Sequence, residues 1–485
     1  MREGVGKQMF KQYIGGELVE GKGTMLRVMN PANGTDFESF KAATGAQAEE
    51  ALEAAKKAFS TWSWTPLDER VEWLRKYTKE LLSEREYIVD LLSQESGKPY
   101  AEACYDFDWG ISSLRFFAEE IRRVTGTTFS DNAGRRGNFY HLVDRRPLGV
   151  VVGHLAWNYP LGNAALKIGP TIASGCCCVL KPSSQTPLAT LYLGEILHRI
   201  GLPAGVVNII SGPAGELGDV LNKSRIPKMI TLIGSTETGR QVMAQGSSSV
   251  KTYSLELGGN APAILMEDAD VDLAADLIVK SQVCNTGQTC IGYNRIYVHE
   301  KRYEEFCQKV LDRLKKVTIG AGRDDGEMVM GPMISFRERD RVLDLIADAK
   351  ARGAKVLCGG DVPAGFEKGA YISPTVVADV NEDMKISREE IFGPVISVRP
   401  YTDFEDVLKK ANDTEAGLTS YLFGHDARAI ARAYEVLEFG ELYVNGFSTG
   451  PMLPHCGVRE SGVGCDASGW GLEEYFSLKR LSMHP

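Results

Sequence analysis

Apolar positions recur at helical spacing from about Gln47 to Trp62, from about Asp68 to Ser96 and from about Ala101 to Val124, so the first quarter of the chain reads as mostly helical. Between Gly126 and Pro147 the pattern changes to two extended stretches, TTFS and NFYHLVDRR, around the turn-rich segment DNAGRRG. A protruding hairpin is predicted there. From Gly149, short apolar runs alternate with helical patterns: GVVVGHLAW, a helix to about Ser174, CCCVLKPSS, a helix near Ile200, VVNII and MITLIG. Such alternation predicts an α/β unit, a parallel sheet covered by helices on both faces. A second alternation begins near Ala261 with APAILM, a helix from about Val271, NRIYVH, a helix from about Glu304, and later KVLCGG and ISVRPYT. The glycine-rich tail CGVRESGVGCDASGWG ends in EYFSLKRLSM, which has strand character and is expected to pair with the hairpin or with a neighbouring subunit.

A chain of 485 residues exceeds what one core usually organises, so two or three packed units are expected. Hydrophobic residues at 43% and charged residues at 25% fit a folded globular protein. The net charge of −9, with both signs interspersed, offers no basic stripe for nucleic acid, and the expected partner is a small molecule. The N-terminal stretch lacks a signal-peptide core and no segment is apolar enough to span a bilayer, which predicts a cytoplasmic protein. Ten cysteines without CxxC or zinc spacing are then expected to be reduced thiols, with no metal site.

Several polar residues stand in positions suited to chemistry. Cys290 lies in NTGQTCIGYNRIYV, flanked by Gly287 and Gly292, which would let the backbone approach a ligand closely. A lone cysteine usually only packs, as is expected for Cys284 and for Cys176, Cys177 and Cys178, whose side chains alternate across a strand. Glu256, in SLELGGNAP, is a carboxylate in an apolar run: a general base with a raised pKa, or the partner of a buried arginine or lysine. Asn158, in HLAWNYPLG, offers a neutral amide donor to an oxyanion, or else caps a turn. Lys181 ends a strand at the carboxyl edge of the parallel sheet, where ligands bind in such folds, although a lysine there is commonly just solvated. In MITLIGSTETGRQVM, residues Gly234, Ser235 and Gly239 are placed to offer backbone donors to a phosphate at a helix N-terminus, a pattern weak by itself.

Taken in order, WNYP, LKPSSQTP, GSTETG, LELGGNAP, GQTC, EEIFGP and ESGVG resemble the aldehyde dehydrogenase superfamily, and the likeness runs from about Tyr13 to the C-terminus. The resemblance implies a dinucleotide-binding domain at residues 1–125 and 147–256, a catalytic domain at 257–452, and an oligomerisation element at 126–146 and 453–485 of a homodimer or homotetramer. It implies NAD or NADP as cofactor, with Cys290 as nucleophile, Asn158 as oxyanion donor and Glu256 as base. Lys181 resembles the adenine-ribose contact, Glu390 the nicotinamide-ribose contact and Phe392 the nicotinamide's neighbour, and Trp157, Ser184, Gly234, Ser235 and Leu257 complete the coenzyme set.

Two departures bear on the coenzyme. Ile233 stands where the family's phosphate turn usually has threonine, and Ser184 where many NAD-preferring members have glutamate, which leaves the choice between NAD and NADP open. For the substrate, KPSSQTP and LELGGNAP resemble the succinate-semialdehyde branch, yet the positions of that branch's carboxylate-binding arginines are Leu166 and Cys284. FGELYVN and PHCGVRESGVG resemble the lactaldehyde and glycolaldehyde branch, in which a histidine matches His455. A short hydroxyaldehyde is expected, met by Tyr159, Asn163, Thr289 or His455, with succinate semialdehyde as the alternative. A coenzyme-A-acylating dehydrogenase and a non-catalytic NAD-binding protein are the other readings, and Glu256 with an intact Cys290 and Asn158 argues against both.

Overall fold

A computed structural model of the chain describes residues 10–130, 139–324 and 328–484. Its first half is built on an eight-stranded sheet. The centre of that sheet is parallel and runs, in spatial order, Val207–Ile209, Cys177–Lys181, Val150–His154, Pro227–Ile233 and Thr252–Glu256. Both faces of Val150–His154 and of Cys177–Lys181 are buried, which is why these strands read as unbroken apolar runs rather than as alternations. Cys176, Cys177 and Cys178 are all buried, as core residues. The register pairs His154 with Lys181 and Ile233 with Glu256, so the carboxyl ends of neighbouring strands finish level at one edge of the sheet.

The second half carries a seven-stranded sheet. Thr375–Ala378, Val395–Tyr401, Arg295–His299, Pro262–Leu265, Thr419–Phe423 and Glu441–Val444 are parallel, and Lys355–Cys358 joins one edge antiparallel. A third, antiparallel sheet joins Thr127–Ser130, Tyr140–Pro147 and the tail strand Phe476–Met483, so the tail pairs with the hairpin inside the same chain. The turn-rich connection at 131–138 lies outside the described residues.

Three expectations need correction. The helical pattern of residues 68–96 is two helices, Leu67–Ser83 and Arg85–Ser96, because Glu84 leaves the helical region at φ −106° and ψ 12°. The N-terminal part also holds strands that the helical reading passed over, Gln12–Ile14, Glu17–Val19, Met25–Asn30 and Thr35–Lys41. Two of them span three residues each, too few for a period to register, and the tight turn between those two rests on Gly15 and Gly16 at φ +60° and +89°. The cysteines are not all free thiols, since Cys456 and Cys465 form a disulfide. His455 and Asp466 form an antiparallel bridge, which sets the two neighbouring cysteines opposite each other with Cα atoms 4.4 Å apart. Among the described residues no helix is long and apolar enough to cross a membrane.

Candidate active site

The carboxyl ends of the first sheet and the loops of the second enclose a cavity of about 1080 Å³. The fifteen residues given catalytic, coenzyme or substrate roles, from Trp157 to His455, all line it. Chain neighbours such as Trp157, Asn158 and Tyr159 arrive together, but Cys290, Glu390 and His455 come from separate loops that only the fold brings together.

Cys290 is carried by a loop with a costly backbone. Asn285, Thr286 and Gly287 have consecutive positive φ values of 48°, 56° and 68°. For residues with a Cβ that conformation costs on the order of 1 kcal/mol or more each, so the surroundings must over-determine it. They do: Glu102 accepts from Asn285 N at 2.9 Å, Thr286 Oγ1 donates to Gly331 O at 2.9 Å, and Gln288 accepts from Ile334 N at 2.8 Å. The sequence suggested that Gly287 and Gly292 make room for a ligand. Instead a Cβ on Gly287 would meet Gly393 O at 2.2 Å and one on Gly292 would meet Thr289 O at 3.2 Å, so protein backbone occupies that space. Gly259 packs in the same way, since its Cβ would lie 2.3 Å from Cys290 O.

Asn158 does not cap the helix Pro160–Ser174, which has no side-chain cap. Its Nδ2 donates to Gln288 O at 3.3 Å, and its main-chain carbonyl accepts from Asn285 Nδ2 at 3.1 Å, tying it to the cysteine loop. Asn163 lines the cavity, but its amide points to Ala156 O at 3.2 Å and Asn158 Oδ1 at 3.5 Å. These contacts engage its amide donors and orient Asn158.

Among the described residues Glu256 has no arginine or lysine partner. It is 4% exposed, and neither carboxylate oxygen has a hydrogen-bond partner among them. Burial pushes its pKa well above the usual carboxylate range against the opposing pull of His455. The buried lysine nearby, Lys167, is held by Asp466.

Two residues beside Cys290 were not weighed in the sequence. Glu441, at the start of strand Glu441–Val444, accepts from His455 Nδ1 at 2.7 Å, and Tyr443 OH donates to the same carboxylate at 3.0 Å. His455 Nε2 lies 3.9 Å from Cys290 Sγ and 3.9 Å from Glu256 Oε2. FGELYVN held the signal, an acidic residue among strand-forming neighbours, but its partner is fourteen residues away.

At the other end of the cavity, Lys181 is not merely solvated. It is buried, among the described residues its ammonium makes one hydrogen bond, of 3.4 Å to Pro182 O, and burial lowers its pKa to about 8. Ser235 caps the helix Thr236–Gly246 by accepting from Thr238 N. The proposed phosphate donors of Gly234 and Gly239 are occupied, because Gly234 N donates to Glu256 O and Gly239 N to Ser235 O, each at 3.0 Å. Glu390 accepts from Gly259 N at 2.9 Å, and burial raises its pKa to about 7. Arg341 donates to the carbonyls of Glu390 and Ile391, holding Phe392 at φ +50° with its ring edge-on to Trp157 at 5.3 Å.

The chain is similar to known dehydrogenases over nearly its whole length. The chain is 37% identical over 477 residues to the NADP-dependent succinate-semialdehyde dehydrogenase of Escherichia coli strain K12, covering 98% of each chain. It is 34% identical to a D-glyceraldehyde dehydrogenase of Picrophilus torridus over 97% of this chain and 95% of that one. The crystal structure of lactaldehyde dehydrogenase from Escherichia coli superposes with a TM-score of 0.94 at 33% identity, over 98% of this chain and 99% of that one. Residues 18–481 match the aldehyde dehydrogenase family model, and the chain belongs to that family, as an oxidoreductase acting on aldehydes.

Proposed function

We propose that the chain oxidises a short, uncharged hydroxyaldehyde such as lactaldehyde or glycolaldehyde to its acid through a thioester on Cys290. The observation that carries the substrate class is the lining of the cavity. Leu166 and Cys284 line it where a distal carboxylate would need cations, and two further carboxylates, Glu256 and Glu441, flank the reactive end. A carboxylate brought into so dry a space loses hydration worth several kcal/mol and needs a cation or several donors in return. Arg459 does not reach the cavity and bonds instead to Asn412 O and Glu438. Lys98 lies over the Tyr159 ring and pairs with Asp106, while Lys280, whose side chain is 61% exposed, is held by Asp276. The hydroxyls of Tyr159 and Thr289 suit a neutral substrate.

In this reading Cys290 Sγ attacks the aldehyde carbon, while Asn158 Nδ2 and the Cys290 backbone N–H receive the developing oxyanion. NAD or NADP, when bound, would supply the hydride acceptor that lets the adduct on Cys290 become a thioester. Glu256 takes a proton from water as that water attacks the thioester, the C–S bond breaks, and the acid departs. The cavity fits such a coenzyme: Lys181 presents a buried ammonium with one long hydrogen bond among the described residues, and a Cβ on Gly258 would lie 2.6 Å from Glu390 Oε2, so the backbone must stay bare there. Lys181, Ser184 and the helix headed by Ser235 would hold the adenosine and phosphates. Trp157, Leu257, Glu390 and Phe392 would frame the nicotinamide.

The same reading divides the chain into a coenzyme domain of residues 1–125 and 147–256, a catalytic domain of 257–452 and an oligomerisation element of 126–146 and 453–485. Phe129, Tyr140, Leu142, Leu478, Leu481 and Met483, all exposed on the three-stranded sheet, support a homodimer or homotetramer.

The names of relatives such as the Escherichia coli succinate-semialdehyde dehydrogenase favour a second reading, a semialdehyde substrate. Parallel kcat/KM measurements with lactaldehyde, glycolaldehyde and succinate semialdehyde, with and without coenzyme A, separate the two. The hydroxyaldehydes should win and free acid should form in either case. A clear preference for succinate semialdehyde rejects the substrate class, and acyl-CoA formation rejects hydrolysis.

A further inference from the structure

We propose that Cys290, His455 and Glu441 form a thiol–imidazole–carboxylate relay, in which His455 Nε2 takes the Cys290 proton and Glu441 positions the ring for that transfer. This inference rests on Cys290 being the nucleophile, and it gives His455 a role on the enzyme's own thiol beyond contact with substrate.

The geometry is specific on both sides of the imidazole. Nδ1 is 2.7 Å from Glu441 Oε1, a charge-assisted hydrogen bond that makes Nδ1 the donor and turns Nε2 toward the sulfur at 3.9 Å. Glu441 cannot swing away easily, because its other oxygen accepts from Tyr443 OH at 3.0 Å and Thr419 Oγ1 at 3.1 Å. The segment carrying the histidine is equally held. His455 and Asp466 exchange backbone hydrogen bonds of 3.0 and 2.8 Å, the adjacent Cys456–Cys465 disulfide closes that turn, and Asp466 is anchored by the ammonium of Lys167.

The groups in direct contact with His455 favour its protonated form once it has received a proton. They are Glu441 from its strand, Glu256 from the end of Thr252–Glu256, and Cys290 from its loop, with the ion pair of Lys167 and Asp466 behind Glu256. Burial alone would lower the imidazole's pKa, but hydrogen bonding to Cys290 and Glu441 and the charge of Glu256 outweigh it and leave it well above the ordinary value. Tyr443 and Tyr421, packed beside the pair, keep their protons because burial raises both.

Proton accounting then separates two tasks. The S–H proton passes to Nε2, the thiolate pair forms the C–S bond, and the carbonyl π pair moves to oxygen. The imidazolium keeps that proton while Glu256, which makes no hydrogen bond to the thiol, remains to deprotonate water. When the acid leaves, the thiolate is regenerated beside the imidazolium, ready for the next aldehyde.

The labelling itself needs neither aldehyde nor coenzyme, which enter only in a separate assay of residual activity. The full chain is treated with iodoacetamide from pH 5.5 to 9, and alkylation of Cys290 is followed by peptide mass, with partly exposed Cys104 as internal reference. At pH 6 the wild type should label at Cys290 at least ten-fold faster than His455→Gln. Glu441→Gln should fall between them, Glu441→Asp should recover part of the rate, and Cys104 should be unaffected throughout. Identical pH profiles in wild type and His455→Gln overturn the relay. Should His455→Gln fail to fold, as judged by circular dichroism, a wild-type profile in Glu441→Gln overturns it instead. Residual activity separates the underlying reading: enzyme fully alkylated at Cys290 yet still active removes the nucleophile assignment. Inactivation in step with alkylation but with unchanged profiles removes only the relay.

Discussion

The Glu256 carboxylate lies 3.9 Å from His455 Nε2, and neither of its oxygens accepts a hydrogen bond from the described residues. A carboxylate so placed is a poor structural anchor and a good proton acceptor, because its burial raises its affinity for a proton without supplying donors to occupy its lone pairs. Glu256→Gln should therefore slow steady-state turnover by about 100-fold or more, the usual weight of a positioned general base. An acyl adduct on Cys290 should accumulate and be seen as an added mass on the intact protein. The wild-type rate should rise with pH as the raised carboxyl loses its proton, and the variant should lose that rise. An unchanged rate would make Glu256 structural.

Ser184 lines the coenzyme end of the cavity with Lys181. A hydroxyl there neither grips a ribose diol with charge nor repels a 2′-phosphate, so NADP should be used with an efficiency comparable to NAD. Ser184→Glu should shift the ratio toward NAD by about ten-fold, the effect of about 1.4 kcal/mol of repulsion. Comparison of kcat/KM for the two coenzymes checks this. Rejection of NADP by the wild type would show that another group closes the ribose pocket.

Lys181 adds a pH dependence to that choice. Burial lowers its pKa to about 8, so its ammonium is present below that value and is lost as pH rises through it. NADP affinity should fall more steeply than NAD affinity between pH 7 and 9, by about ten-fold for one lost ion pair of about 1.4 kcal/mol. Titration of the intrinsic fluorescence with each coenzyme at the two pH values decides it, and parallel losses would remove Lys181 from the phosphate site. For folding the sign runs the other way. Below about 8 the buried charge opposes the folded state, and this penalty fades as pH climbs toward the ordinary lysine value, where the unfolded chain also loses its proton.

Much of the architecture was legible because it rests on local pattern. Strands buried on both faces announce themselves as apolar runs such as GVVVGHLAW, and the helices between them as three-to-four-residue periods. The chemical residues were legible for a related reason, since WNYP, LELGGNAP and GQTC each set an uncommon polar group in a short, specific context. Local pattern made Asn158, Glu256 and Cys290 candidates, and the order of the motifs, read as a resemblance, gave them their expected roles.

The tertiary structure decided what those residues meet. Whether Glu256 found a lysine depended on Lys167, which is bound to Asp466 from a tail three hundred residues on. The glycines around Cys290 were expected to face a ligand and instead face Gly393 and Thr289, because only the folded chain says which backbone lies beyond a missing Cβ. Glu441 carried no motif, and its importance comes from one 2.7 Å contact across the cavity. Hydrophobic period and turn chemistry are short-range properties that a sequence displays directly. Hydrogen-bond partners, burial and the resulting pKa shifts are set by groups distant in the chain, and they exist only once packing has removed the water between them.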